Sequence, residues 1–384
     1  MAAMSTVTPA ERPRLDPERM ALARAYARAQ RRLLLPELAV GAVYFALWWG
    51  IVHGPWLAWL TTHVAGFDLR VVLYGGLFGL GAALVGLPFD VIRHRISRRF
   101  GLAVQTWRSW LVDQVKGWMV AAVLGLPVMV VLYRLLAMAP QTWWLGMGLF
   151  YLVFSVILVQ VAPVLIMPLF LTFTPLQEEP LATRLRQLAE AAGARVRGVF
   201  RTDLSRKTTA ANAWLSGLGR TRRIVLGDTL LAHYPDDEIL AVFAHELGHH
   251  VHQDLWRGIA VATVVNLAGF GLAGRVMAWA VARFAYAGPA DLNAFPWLVL
   301  ALTLWGALTM PLLNALSRHQ ERRADAYALT HGPGPTAFAD ALTRLANQNL
   351  ADPEPPAWLV WLAYSHPPIL ERIAYAEGKA GPRT

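Results

Sequence analysis

The sequence predicts a mainly α, polytopic membrane protein of about six spans with a small α+β polar region. Three observations lead there. Hydrophobic residues make up 56% of the 384 residues and charged residues only 16%, against about 45–50% and 25% in soluble domains. Mean hydropathy is +0.39. Six stretches stay apolar over the roughly 20 residues that a helix needs to cross a bilayer.

The expected spans are Leu38 to Leu60, Val71 to Ile92, Gly117 to Met138, Trp143 to Phe173, Gly258 to Ala282 and Phe295 to Leu316. The fourth is long and carries Pro163 and Pro168 in its second half. A kink is expected there, because each proline removes a backbone donor and clashes one turn back. Arg134 and Arg275 lie in or near spans. Arg134, close to a span end, is expected to snorkel; Arg275 either snorkels or faces a wet chamber.

Orientation follows from the basic residues. The tail before the first span holds seven arginines, from Arg12 to Arg32. The first connection has only Arg70, whereas the second has Arg93, Arg95, Arg98, Arg99 and Arg108. The third has none, and the connection between spans five and six has Arg283 alone. Both termini and the long polar segment are therefore expected in the cytoplasm. Pro17 to Leu35 reads as a basic helix whose arginines either lie on anionic lipid or only enforce this orientation. Three regions result: a basic tail over 1–37, a four-span membrane domain over 38–173, and a third region over 174–384 that includes the last two spans. The Ala/Arg-rich style and short loops point to a bacterial chain in the inner membrane.

The composition excludes several functions. With no cysteine there are no disulfides, thiolate metal sites or iron–sulfur clusters, so any metal must sit on His, Asp or Glu. The formal charge is +10. In so apolar a chain it sets topology, and no nucleic-acid partner is expected.

In the polar part, a helix is expected over Thr183 to Ala192 and short strands over Arg197 to Thr202 and Arg222 to Leu226. A helix should follow Pro235, with Asp236, Asp237 and Glu238 complementing its positive end. It carries His245-Glu246-Leu247-Gly248-His249, an H-E-x-x-H match. His245 and His249 share one face at i and i+4 and can reach one Zn²⁺. Glu246 points about 100° away and stays free to take a proton. His252 could share the face of His249, while His250 is rotated away.

A zinc hydrolase needs a third ligand and an open position. Glu321 and Asp325 are the candidates, four apart on a helix expected to start near Ser317. One would ligate, and the other would hold the free N–H of a ligand imidazole. Further on, a helix is expected over Phe338 to Leu350, and the Pro-rich stretch Asp352 to Pro356 then leads into Trp358 to Tyr364.

These motifs resemble the integral-membrane zinc metallopeptidases typified by the type I CAAX prenyl protease, with the HtpX heat-shock membrane protease as a more distant relative. The anchors are Gly86-Leu87-Pro88, Pro168 to Leu176, Asn212-Ala213-Trp214, Arg223 to Leu231, His245 to His249, Ser317 to Ala326, and Ser365-His366-Pro367-Pro368 to Arg372. The resemblance implies that His245, His249 and Glu321 hold one Zn²⁺ per chain and that Glu246 is the general base. It implies that Asp325 orients His245, that Asn212 holds the substrate backbone, and that His366 stabilises the oxyanion with Arg372 supporting that side. The family has seven spans; six are counted here.

The expected function is therefore that of a membrane-embedded zinc metalloendopeptidase acting on a peptide or protein substrate. Two substrate readings are open: removal of a C-terminal tripeptide from prenylated CAAX proteins, and quality control of unprenylated membrane proteins. The alternative class is a polytopic transporter or structural protein with a vestigial metal site, but a transporter would show two related halves, and none is visible.

Overall fold

The structure, a computed structural model, describes residues 12–177 and 179–378. Asp16 opens its first helix, α1 (Pro17–Arg31), by accepting from the backbone N–H of Glu18 at 2.8 Å and Arg19 at 3.3 Å. This is the basic helix expected from the sequence, but it docks on protein: Met20 and Ala23 are buried, Tyr26 bonds Ser97 at 3.1 Å, and Arg31 pairs with Asp352.

The first span is broken into α2 (Leu34–Leu47), a π-helical turn (Trp48–Val52) and α3 (His53–His63). The next two are single helices, α4 (Phe67–Arg99) and α5 (Trp107–Met138). Arg134 does not simply snorkel: its Nε and Nη2 both donate to Asp68 at 2.7 Å. The fourth span, α6 (Trp143–Val161), loosens into a π turn (Ala162–Ile166) and a 3₁₀ turn (Met167–Leu169). Pro163 and Pro168 fall in these turns, as their missing donors require. The helix stops at Leu169, short of the expected Phe173, because Phe173 opens β1 (Phe173–Pro175). Counting by length and apolar composition, six helical runs among the described residues can cross a membrane.

The polar region follows. Helix α7 (Glu179–Ala191) covers a sheet of β2 (Val199–Thr202), β3 (Ala213–Ser216) and β4 (Arg223–Gly227), with β1 at one edge. The strand order is β1-β2-β4-β3, so β3 is the other edge. Strands β2 and β4 run parallel; the other pairs are antiparallel. The two strands missing from the sequence reading, β1 and β3, are only three and four residues long, too short to show alternation. Leu181, Leu185, Ile224, Leu226, Phe243 and Leu247 close one core between sheet and helices.

The short α8 (Asp228–Leu231) leads to α9 (Asp236–Val251), with Pro235 as its N-cap instead of its first helical residue. Gln253, in the left-handed region at φ 55°, turns the chain directly into the fifth span, α10 (Asp254–Phe284). Its Arg275 is exposed, and no described residue pairs with it. The sixth span and the helix expected from Ser317 are one continuous helix, α11 (Phe295–His331); nothing between Leu316 and Ser317 breaks the backbone ladder. Helices α12 (Pro335–Gln348), α13 (Ala357–Ala363) and α14 (Ile369–Ala376) complete the fold.

Helices α9 and α11 cross in close contact. A Cβ built on Gly248 would lie 2.7 Å from Ala324 Cα and 3.1 Å from its carbonyl oxygen. Ala241, Ala244, Ala324 and Ala328, all fully buried, keep the contact thin. Substitution Gly248→Ala forces backbone apart and is expected to cost about 1–3 kcal/mol of stability, read as a lower thermal midpoint in detergent.

The three Arg-rich segments meet at one end of the bundle. The α4–α5 connection hydrogen-bonds the polar region through Val104 N to Lys207 O at 3.1 Å and Thr208 Oγ1 to Leu102 O at 2.8 Å. The N-terminal arm joins them through Arg12 and Asp340 at 2.8 Å. Because the natural chain has no cysteine, single-cysteine variants report sidedness directly. Arg95→Cys and Glu190→Cys are expected to react with an impermeant thiol reagent from the same side of the membrane, and Thr62→Cys from the opposite side.

Candidate metal centre

Helix α9 is held on two sides. Ile239, Leu240, Phe243 and Leu247 face the sheet core, and Ala241 and Ala244 face α11 and α12. The remaining face presents His245, Glu246 and His249 to a cleft of about 540 Å³, which Glu321, Asn212 and His366 also line.

Glu321 arrives from α11 two turns beyond Asn314, whose Nδ2 donates to Leu362 O at 2.8 Å. Its Oε2 lies 3.3 Å from His245 Nε2, and its Oε1 lies 3.4 Å from His249 Nε2. One donor atom from each of the three residues falls within 4.8 Å of the others. Asp325, one turn on, accepts at Oδ1 from His245 Nδ1 at 2.8 Å and is 2% exposed. Glu321 thus faces the ring nitrogens that point inward, and Asp325 holds the outward one of His245.

The sequence reading missed Asp254. Its Oδ2 accepts from His249 Nδ1 at 3.0 Å, so each imidazole has its own carboxylate behind it. Asp254 is the first residue of α10. An acid at that place reads as an ordinary helix-start charge, and only the sharp turn at Gln253 folds it back beneath His249.

With both Nδ1–H groups directed outward, the two Nε2 lone pairs and the Glu321 carboxylate face one another. Acceptors facing acceptors need a positive charge between them. Among the described residues, none makes a hydrogen bond to the buried Glu321 Oε2, which suits an atom that ligates a cation. In the bare protein a proton meets the same demand. Burial works against a charged His245, but the neighbouring Asp325 and Glu321 carboxylates prevail and raise the imidazole to about 9. The residues present therefore fit a divalent metal ion. Burial also raises the neighbouring Glu246 carboxyl above its usual range.

His366 is exposed to the cleft and reaches Glu321 Oε1 at 3.2 Å through Nε2. Its Nδ1 lies 2.8 Å from Ser365 Oγ. Arg372 also lines the cleft: Nη2 and Nε donate to the two Asp325 oxygens at 2.7 and 2.9 Å, and Nη2 lies 3.9 Å from Glu321 Oε2. It braces the carboxylate that orients His245. Asn212 lies just before β3, exposed at the cleft. Its carbonyl accepts from Gly227 N at 2.9 Å, which fixes its backbone. His252 packs on Tyr327 instead of sharing the face of His249, and His250 lies 3.4 Å from Arg222 Nη1.

Comparison with known proteins agrees with this architecture. The model of Peptidase family M48 matches residues 175–380, and that described as CAAX prenyl protease N-terminal, five membrane helices, matches residues 2–172. In that stretch the described residues form four runs of spanning length. The chain is 31% identical over 368 residues to the uncharacterized metalloprotease YhfN of Bacillus subtilis, covering 94% of this chain and 86% of that protein. It is 27% identical over 333 residues to CAAX prenyl protease 1 of Saccharomyces cerevisiae, covering 81% and 73%. The crystal structure of S. mikatae Ste24p superposes with a TM-score of 0.82 at 24% identity, over 96% of this chain and 92% of that one, which shows a shared fold. An H-E-x-x-H helix crossed by a helix that brings Glu321 and Asp325 to it on a multi-span scaffold, together with these matches, makes the chain a member of peptidase family M48 and an integral-membrane metalloprotease.

Proposed function

We propose that the protein is a zinc-dependent endopeptidase that cuts peptide segments at the cytoplasmic face of the bilayer. In this reading His245, His249 and Glu321 hold one Zn²⁺ per chain. The observation that carries it is the convergence of three acceptors from two helices, each imidazole backed by its own carboxylate. Two imidazoles and one carboxylate form a known catalytic zinc donor set that leaves a position open. When bound, zinc supplies Lewis-acid polarisation of the scissile carbonyl and makes water nucleophilic near neutral pH.

The chain's own residues do the rest. Glu246 lines the cleft, and its raised carboxyl suits a group that takes a proton from water and returns it to the leaving nitrogen. Among the described residues no strand pairs with the outer edge of β3, so a peptide laid along it gains main-chain hydrogen bonds. Asn212, at the start of that edge, would hold the peptide backbone. His366 would donate to the carbonyl oxygen as negative charge develops there. Arg372 acts through Asp325, keeping His245 in the tautomer that offers Nε2.

The cytoplasmic assignment is supported by the gathering of Arg-rich segments at the catalytic end. For the substrate, the likeness to CAAX prenyl protease 1 supports removal of a C-terminal tripeptide from a prenylated chain. Glu246→Gln is expected to keep its zinc and to lose peptide cleavage by at least about 10³-fold, since proton transfer and water activation fail together. Mass spectrometry of fragments from matched prenylated and unprenylated peptides reads both points. Undiminished cleavage by the variant would remove Glu246 from the mechanism, and equal cleavage of both peptides would favour the quality-control reading.

A further inference from the structure

His249 stands in the wall of two cavities. One is the cleft already described. The other, of about 370 Å³, lies on its far flank and is lined by Leu218, Arg222, His250 and Trp256, among others. The two lie at opposite ends of β3. Asn212 precedes the strand and lines the first; Leu218 follows it and lines the second. The strand's four residues span about 13 Å. A peptide extended along its free edge therefore leaves one cavity, passes His249 and enters the other.

The second cavity has a distinctive charge. Arg222 is half-buried, and among the described residues no carboxylate comes within ion-pair distance of it. Its side-chain partner is the His250 ring, 3.4 Å from Nη1, which steadies one arm of the guanidinium and leaves the rest of the fork open. Its carbonyl accepts from Arg197 N at 2.7 Å, so its backbone is fixed. The lining reinforces the sign: beside Arg222 it holds His249 and His250, and none of the described residues that line the cavity is acidic. A half-buried guanidinium is costly unless an anion meets it, and a planar fork suits a carboxylate. Positive-inside topology accounts for exposed arginines such as Arg195 and Arg197. It does not account for one turned into a cavity that abuts a metal-site histidine.

We propose that this cavity is a substrate subsite on the opposite side of the scissile bond from Asn212, where Arg222 receives a carboxylate of the peptide. The carboxylate is either an Asp or Glu side chain or a chain terminus. This rests on the peptidase reading above and adds a selectivity to it.

The test uses full-length protein in proteoliposomes and a peptide library of fixed length, made once with free and once with amidated C-termini. Products from wild type, Arg222→Gln and Arg222→Lys are sequenced by mass spectrometry. Wild type is expected to favour an acidic group at one fixed distance from the cut by about tenfold or more, the value of a charge-assisted bond. Arg222→Gln should lose that preference, and Arg222→Lys should retain part of it. Loss of the preference on amidation assigns the terminal carboxylate; its persistence assigns a side chain. Equal acidic preference in wild type and Arg222→Gln overturns the proposal. Binding of a fluorescent Glu-containing peptide and its Gln twin to Glu246→Gln protein, with and without Arg222→Gln, gives an answer independent of cleavage. Equal affinity for the twins overturns the subsite, whereas absence of cleavage with selective binding overturns only the peptidase reading.

Discussion

The near-contact of two helix backbones at Gly248 and Ala324 governs the arrangement of this molecule. Two imidazoles one turn apart on α9 are worth little without a third group opposite them. That group sits on α11, and its carboxylate is short. It reaches the histidines only because Gly248 offers no Cβ to the crossing and alanines flank it on both helices. Leucine at any of these places would set the axes further apart and leave Glu321 beyond reach. The glycine inside the H-E-x-x-H run is thus a geometric part of the metal site, although it touches no metal.

The same crossing ties the chemistry to the membrane. Glu321 and Asp325 lie on the extension of the sixth span, and Asp254 is the first residue of the fifth. Between them these two helices supply one proposed ligand and both carboxylates that orient the histidines. Helix α9 is held between the sheet core and the small-residue face. The cleft is therefore a product of the bundle and the polar region together, and the tilt of spans five and six bears directly on its dimensions. The electrostatics agree. His245, His249 and Glu321 each bring one ligand atom within 4.8 Å of the others, a grouping of two imidazoles and a buried carboxylate that suits a divalent cation.

Much of this was legible in the sequence. Apolar runs of spanning length gave six spans, because in lipid a backbone must satisfy itself helically. The H-E-x-x-H spacing placed His245, Glu246 and His249 on one helix, since 3.6 residues per turn leave no other arrangement. What escaped was whatever depends on tertiary geometry. The continuity of α11 through Leu316 and Ser317 was hidden because hydropathy changes there while the helix does not. Strands β1 and β3 were too short to alternate. Asp254 looked like a helix-start charge, and nothing local signals the turn at Gln253 that brings it to His249. Arg372 was expected to support the oxyanion side; its pairing with Asp325, forty-seven residues away, escaped, because no pattern within either segment encodes it.

The central claim is that α9 and α11 jointly build one metal site. Metal analysis of detergent-purified wild type and Glu321→Ala, with zinc K-edge absorption on each, tests it most directly. The account predicts about one zinc per wild-type chain, held by two imidazoles and a carboxylate, and zinc lost from a Glu321→Ala protein that still folds. Full zinc occupancy with an unaltered absorption spectrum in Glu321→Ala would contradict it.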